Sequence, residues 1–399
     1  LQRVISLPNL TLDNFLQGYV VDGALACMGD SCAEQLALER RAALREIDVP
    51  YEAHIIRLIA ESANKPIQDV AIWLNNETSY EHTELVRRCA TLDLTDNVPD
   101  VVLQVYPLLA DYIVEYSYGN PELDAYFKLY RKLKLLNIVT PEFCHRAFNA
   151  TVPRTIQSRD AIIQPYSMYG KSALLVVDGM GAEYLPVLLA QAKKHQIGII
   201  RYEVATCCLP TSTKYNSFIW PSERRLQDIK RIDGVIHAGA KANEPNTYAE
   251  NLVAVLDEMI AKRIFERIAD GLTRYERVVV TSDHGASRLA LLAYENNLAQ
   301  TLPNPSDKEI IDWRYTNAPE NKTCPEEMED TLDGKYWVVR GYNRLPKSGG
   351  KKNELHGGAT LEERLVPVIV FKKGAVLESQ TVQPIKSVEQ LVEKDDFDL

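Results

Sequence analysis

Residues 171–181 read K-S-A-L-L-V-V-D-G-M-G, and residues 277–285 read R-V-V-V-T-S-D-H-G. Each is a short apolar run that stops at an acidic residue followed closely by glycine. Continuous apolar runs of this length, rich in β-branched residues and closed by a turn signal, are the pattern of strands buried on both faces. Working outward, 182–194 has helical spacing, 197–204 is another strand candidate, 246–272 makes a long amphipathic helix, and 365–371 (L-V-P-V-I-V-F) is a further buried run. Strands alternating with helices predict an α/β domain with a mainly parallel sheet flanked by helices.

That domain is expected over 166–375, with a loop-dominated insertion at about 300–333 that is rich in Pro, Asn, Asp and Glu. Residues 1–165 read as a mainly helical N-terminal domain, with apolar positions at three- and four-residue spacing in 33–46, 52–63 and 123–136. Pro50, Pro66, Pro107, Pro121 and Pro141 mark the expected breaks. Residues 376–399 form an acidic tail with a short helical stretch near 388–392. The sequence starts at Leu1, as a processed product or a piece of a longer chain would.

The 399 residues are 46% hydrophobic and 25% charged, an ordinary globular composition that excludes disorder and fibre. A net charge of −10 argues against long duplex DNA as a partner while leaving room for a local basic patch. No apolar run is long enough to span a bilayer, so no membrane partner is expected. Seven scattered cysteines without a C-x-x-C pair favour a reducing, cytoplasmic setting. Adjacent Cys207 and Cys208 read as small apolar residues ending a strand.

In open α/β sheets, ligands gather at the carboxyl ends of strands. Asp178 follows one apolar run, Asp283 and His284 follow another, and His356 opens H-G-G shortly before the last. Carboxylates and imidazoles of this kind suit Zn²⁺ or Mn²⁺. Two further segments join them. Residues 209–216 (L-P-T-S-T-K-Y-N) form a hydroxyl-rich turn, and Asp233 stands four residues before His237, which on a helix puts both on one face. Each match has a plain alternative, such as an Asx turn at Asp178 or an N-cap among Thr211, Ser212 and Thr213. Lys214 and Asn216 are candidates for phosphate oxygens, against the alternatives of a solvated side chain and a turn-stabilising amide. The segment 312–315 (D-W-R-Y) offers an arginine and aromatics to a substrate, although packing under a long loop is the commoner use.

Taken in order, Asp178, a Thr in P-T-S-T, Asp233 with His237, Asp283 with His284, and His356 resemble the ligand series of the alkaline phosphatase superfamily. The P-T-x-T-x-x-N turn is similar to that of its nucleotide pyrophosphatase/phosphodiesterase branch. The texture of V-V-D-G-M-G, V-T-S-D-H-G and H-G-G-A-T-L-E-E-R-L-V-P-V-I-V-F resembles the PglZ domain of BREX phage-defence systems, over roughly 165–375. The resemblance implies an alkaline-phosphatase-like fold and two divalent ions, Zn²⁺ first and Mn²⁺ second. It assigns Asp233, His237 and His356 to one ion and Asp178, Asp283, His284 and Thr213 to the other. Thr213, the second Thr of the motif, is the implied nucleophile in preference to Thr211. The implied activity is a phosphodiesterase or phosphatase acting on nucleotide or oligonucleotide phosphoesters, with other phage-defence proteins as partners. A catalytically weak scaffold or nucleotide-sensing component, and a phosphomutase-like enzyme, are the alternatives. The sequence departs from the pattern at 234–236, which is apolar where relatives often carry a Gly before the His.

Overall fold

The computed structural model describes residues 10–46, 50–93, 96–240, 247–305, 310–347 and 352–374. The expected acidic tail and its helical stretch lie outside them. The chain divides into two compact units, Leu1–Ala110 and Asp111–Leu399. The boundary expected near residue 165 thus falls inside the second unit. Among the described residues no helix is long and apolar enough to cross a membrane.

The described elements of the first unit are helices, among them α1 (Ala33–Arg45), α2 (Glu52–Glu61) and α3 (Ser79–Cys89). Their apolar stripes bury Val20, Ala37, Leu44, Ile55, Leu58 and Trp73 in one core. Arg40 lies within it, its guanidinium donating to the carbonyls of Trp73 at 2.7 Å and Val20 at 3.1 Å. Burial lowers its pKa to about 10. Thr78 and Glu81 close a reciprocal capping box on α3.

In the second unit, α4 (Pro121–Leu136), α5 (Pro141–Asn149) and α6 (Arg159–Met168) precede a four-stranded sheet. The strands are β1 (Ser172–Val176), β2 (Gly198–Thr206), β3 (Arg277–Thr281) and β7 (Leu365–Lys372), in the order β1-β3-β7-β2. β1 and β3 are buried along their whole length, as their uninterrupted apolar runs require. Ile162, Ile163, Tyr166, Leu174, Val279 and Val368 are among the side chains of this core.

The sheet is mixed, which corrects the expectation of a mainly parallel one. β1 and β3 pair in parallel, but β7 is antiparallel to both β3 and β2. The reversal brings chemistry to one end. Val176 pairs with Thr281, so Asp178 and Asp283, each two residues further on, leave the sheet at the same level. Leu365 pairs with Thr206, so the start of β7 meets the end of β2 at that same end. Residues 225–229 run beside the outer edge of β1 through parallel bridges at Leu174 and Val177. They lead into α8 (Arg231–Ala238), following α7 (Leu185–Lys194) in chain order. The long helix is built from α9 (Tyr248–Val253), a π-wound middle (Ala254–Ile264) and α10 (Phe265–Arg274). α11 (Arg288–Glu295) follows β3, and α12 (Leu361–Arg364) leads into β7.

Most of the described insertion is loop, but short strands lie within and beside it. It contains β4 (Tyr315–Asn317) and β5 (Met328–Asp330), which flank β6 (Tyr336–Val339) in an antiparallel sheet. Leu302, Ile310, Met328, Trp337, Val339 and Leu345 form its core. Strands this short carry no alternation that composition could reveal.

The two motif glycines Gly181 and Gly285 have a steric reason. A Cβ on Gly285 would collide with the carbonyl oxygen of Glu362 and come within 2.8 Å of Gly181 Cα. Gly285→Ala is therefore expected to destabilise the protein by about 3 kcal/mol, the upper end for overpacking a tight contact. Urea unfolding of the variant beside wild type measures it, and an unchanged midpoint would contradict the close approach.

Candidate metal centre

Every candidate ligand lies at the one end of the sheet where β1, β2 and β3 finish and β7 begins. Asp178 is 8% exposed, Asp283 1% and His284 0%, because each sits directly behind a fully buried strand. Asp233 and His237 occupy one face of α8, four residues apart, with His237 Nε2 3.3 Å from Asp233 Oδ1. His356 Nε2 lies 3.0 Å from His237 Nε2 and 3.9 Å from Asp233 Oδ1. His284 Nε2 lies 3.7 Å from Asp178 Oδ1 and 3.5 Å from Asp283 Oδ2. The His284 and His356 rings stack with centroids 4.3 Å apart, which joins the two halves of the cluster.

The backbone fixes which imidazole nitrogen faces inward. His284 Nδ1 lies 2.9 Å from the Gly285 carbonyl, and His356 Nδ1 lies 3.2 Å from the Thr211 carbonyl. A proton on each Nδ1 donates to that carbonyl and leaves Nε2 a bare acceptor toward the cluster. Asp283 is held in the same manner. Its Oδ1 accepts from the amides of Gly179 and His284 and from Ser282 Oγ, while its buried Oδ2 has no hydrogen-bond partner. Asp233 Oδ1 is likewise buried, with His237 Nε2 3.3 Å away.

This donor set fits a divalent cation. Two nitrogens or oxygens bound to a tetrahedral ion at about 2.0–2.1 Å lie roughly 3.3 Å apart, the spacing found among these atoms. Among the described residues, two groups of ligand atoms are close enough to hold an ion: Asp233, His237 and His356, and Asp178, Asp233 and His284. The first is the set assigned by the resemblance. In the second, Asp233 takes part where Asp283 was assigned, so one carboxylate is shared between the groups, and the unpartnered Asp283 Oδ2 adjoins His284.

Electrostatics carry the same imprint. Burial, followed by the charges of Asp283 and Asp233, raises the Asp178 carboxyl to about 8 against the opposing influence of Lys230 and the Thr213 hydroxyl. Burial also raises Asp233, but the imidazoles of His237, His356 and His284 outweigh it and hold the group below its ordinary value. Burial, then His284, lowers His356 well below its ordinary value and keeps it a neutral ligand.

The 209–216 turn sorts its own residues. Thr211 is buried, its hydroxyl donating to Gly358 O at 2.7 Å and accepting from the Gly357 amide at 2.9 Å. Thr213 is exposed, with Oγ1 3.4 Å from Asp178 Oδ1 and 3.3 Å from His284 Nε2. The Asn216 amide is used within the loop. Its Nδ2 donates to the carbonyls of Cys208, Pro210 and Ser212, and its Oδ1 accepts from the Cys208 amide. These bonds make it a loop staple and leave it no atom for phosphate. The Lys214 ammonium sits 5.2 Å from the centroid of the Tyr215 ring.

Residues that the motifs did not mark also shape the site. Buried Arg159 braces the carbonyls of Asn216, Ser282 and Asp283 from beneath. Arg314, fully buried, pairs with Glu363 at 2.7 Å, and Glu363 accepts from the Gly358 amide just beyond His356. It packs rather than meeting a substrate. The four remaining histidines lie elsewhere; His82 stacks on Tyr106 and His195 on Phe265. All seven cysteines are free thiols, and burial pushes that of Cys207 up to about 12.

An α/β unit with Asp and His groups gathered at one sheet end is compatible with an alkaline-phosphatase-like fold, that of a superfamily that typically uses divalent metals. The chain is 28% identical over 178 residues to the alkaline phosphatase-like protein PglZ of Bacillus cereus (strain H3081.97), which supports a PglZ-like relationship within that superfamily. The match spans 41% of this chain and 20% of that relative. No family model matches the chain.

Sharing of Asp233 predicts distinct metal losses. Asp233→Asn should empty both groups and His237→Ala one of them, read by elemental analysis of purified protein; equal losses would contradict the sharing. Asp178, protonated below about pH 8 in the metal-free protein, must release its proton to become a ligand. Affinity for Zn²⁺ should therefore rise between pH 6 and 8. Calorimetry in buffers of different ionisation enthalpy should detect the proton released.

Proposed function

We propose that residues 166–375 form a two-metal phosphoester hydrolase that acts on nucleotide or oligonucleotide esters through Thr213. The observation that carries the reading is the position of the Thr213 hydroxyl, exposed and within 3.4 Å of both Asp178 and His284, whereas the Thr211 hydroxyl is committed to Gly357 and Gly358. Asp233, His237 and His356 would hold one ion; Asp178, His284 and Asp233, with Asp283 alongside, would hold the other. Ions bound there supply positive charge to phosphoryl oxygens and make neighbouring hydroxyls more acidic. Zn²⁺ suits this mixed oxygen and nitrogen set, with Mn²⁺ second.

Thr213 Oγ1 attacks phosphorus and forms a new O–P bond as the ester oxygen departs with its electron pair; the hydroxyl proton passes to solvent. Water then attacks the threonyl phosphate and returns the free hydroxyl. The 209–216 loop is held by Asn216 and Thr211, so Thr213 enters the reaction with little backbone freedom to lose. The Nδ1 atoms of His284 and His356 are committed to backbone carbonyls, which aims their Nε2 atoms at the site. Membership of a phage-defence assembly, with other proteins of such a system as partners, belongs to the same reading and rests on the sequence resemblance to the PglZ domain.

Thr213→Ala should retain its metal and lose at least roughly a hundred-fold in turnover of p-nitrophenyl phosphate and bis-p-nitrophenyl phosphate. Thr211→Ala, in contrast, should lower thermal stability as well as activity. Full turnover by Thr213→Ala would exclude the nucleophile; absence of turnover by metal-loaded wild type on both esters would favour the scaffold alternative.

A further inference from the structure

Beside the metal centre runs a groove of about 780 Å³ whose charge opposes that of the molecule. One wall is the segment 227–231 beside β1, and the other is the long helix. Cations come from both sides: Lys230 and Arg231 from the first, Lys262, Arg263 and Arg267 from the second. Four carboxylates also line it, but two of these are already paired with arginines outside the lining, Asp228 with Arg225 at 2.7 Å and Asp270 with Arg274 at 2.9 Å. Glu258 and Glu266 are the remaining acids. The groove is therefore locally positive in a chain whose net charge is −10.

Its position ties it to the centre. The Ile229 carbonyl accepts from the Asp178 amide at 2.9 Å, and the segment continues directly into α8, which carries Asp233 and His237. Lys230 lines the groove and also opposes the raised pKa of Asp178, so its charge is felt at the ligands. The walls are pressed together at one point, where Gly271 leaves no room for a Cβ against Leu226 and Val278. Because residues 225–229 run parallel to β1, the groove follows the sheet edge toward the end where the ligands gather. Lys230, Arg231, Lys262 and Arg263 are all exposed, as charges that neutralise phosphates in solution must be.

We propose that this groove binds the phosphodiester backbone of a single-stranded nucleic acid and leads the strand to the metal centre. The assignment to nucleic acid among polyanions rests on the phosphoester reading of that centre. A single strand fits better than a duplex, because the positive region is confined to one groove and the rest of the molecule is acidic.

The test is fluorescence anisotropy with a 5′-labelled thymidine hexanucleotide in EDTA, which separates binding from metal-dependent turnover. Lys262→Gln with Arg263→Gln should weaken binding about ten-fold at low salt and reduce the slope of log K against log salt by about 1.4, roughly 0.7 per lost phosphate contact. Glu266→Lys should tighten it. Unchanged affinity and slope in both variants, or no hexanucleotide binding by wild type, would overturn the proposal. Equal binding of polyglutamate would overturn the assignment to nucleic acid. Hexanucleotide binding without ester hydrolysis by the metal-loaded protein would keep the groove and reject the hydrolase. Hydrolysis of small esters without hexanucleotide binding would do the reverse.

Discussion

Three carboxylates gathered at one end of a buried sheet repel one another, and much of the second unit is arranged around that repulsion. Asp178, Asp233 and Asp283 arrive from the end of β1, from α8 and from the end of β3. Each is costly to desolvate, and their mutual repulsion adds to the cost. Protonation of Asp178 relieves it in one way and a divalent cation in another. The surroundings favour the second. Inward Nε2 atoms, an unpartnered carboxylate oxygen and a shared Asp233 all point at space that a proton alone would leave poorly used.

Holding such a cluster together demands rigid support, and this comes from buried ions one layer further out. Lys134, on α4, lies between Glu183 at 2.8 Å and Glu354 at 2.9 Å, two residues before His356. Burial pushes Lys134 toward neutrality, but the two carboxylates outweigh it and hold its pKa well above the ordinary value. Glu362 accepts from Ser287, Tyr342 and Tyr126, which links the start of β7 to α11, the insertion and α4. Removing one partner of such a pair strands the other in a low dielectric, so these contacts constrain position more than they add net stability.

The central strands and the residues following them were legible because burial on both faces leaves uninterrupted apolar runs, and a strand end is marked by Asp-Gly or Asp-His-Gly. The pairing of Asp233 with His237 was legible from helical spacing. Other features left no local trace. An apolar run such as 365–371 carries no sign of its direction, so the antiparallel entry of β7 appears only in the sheet. β4, β5 and β6 are three or four residues long and sit among Pro, Asn and Glu, which hid them in a segment that reads as loop. Asn216 could have served a phosphate or a turn on sequence grounds; its bonds to Cys208, Pro210 and Ser212 decide for the turn. Arg159 and Lys230 influence the centre from positions that no motif spacing connects to it.

The small sheet of the insertion has a consequence beyond its own core. Arg314, next to β4, reaches Glu363 and the carbonyls of Gly341 and Asn343 in one buried fork, and Glu363 in turn receives the amide of Gly358 and the Thr360 hydroxyl. The segment that looks most dispensable in composition therefore serves as the anchor of the His356 loop. It cannot be trimmed to a short linker or exchanged for a foreign module without freeing a residue of the candidate metal centre. Variation in its length should be confined to the stretches that lie away from this fork.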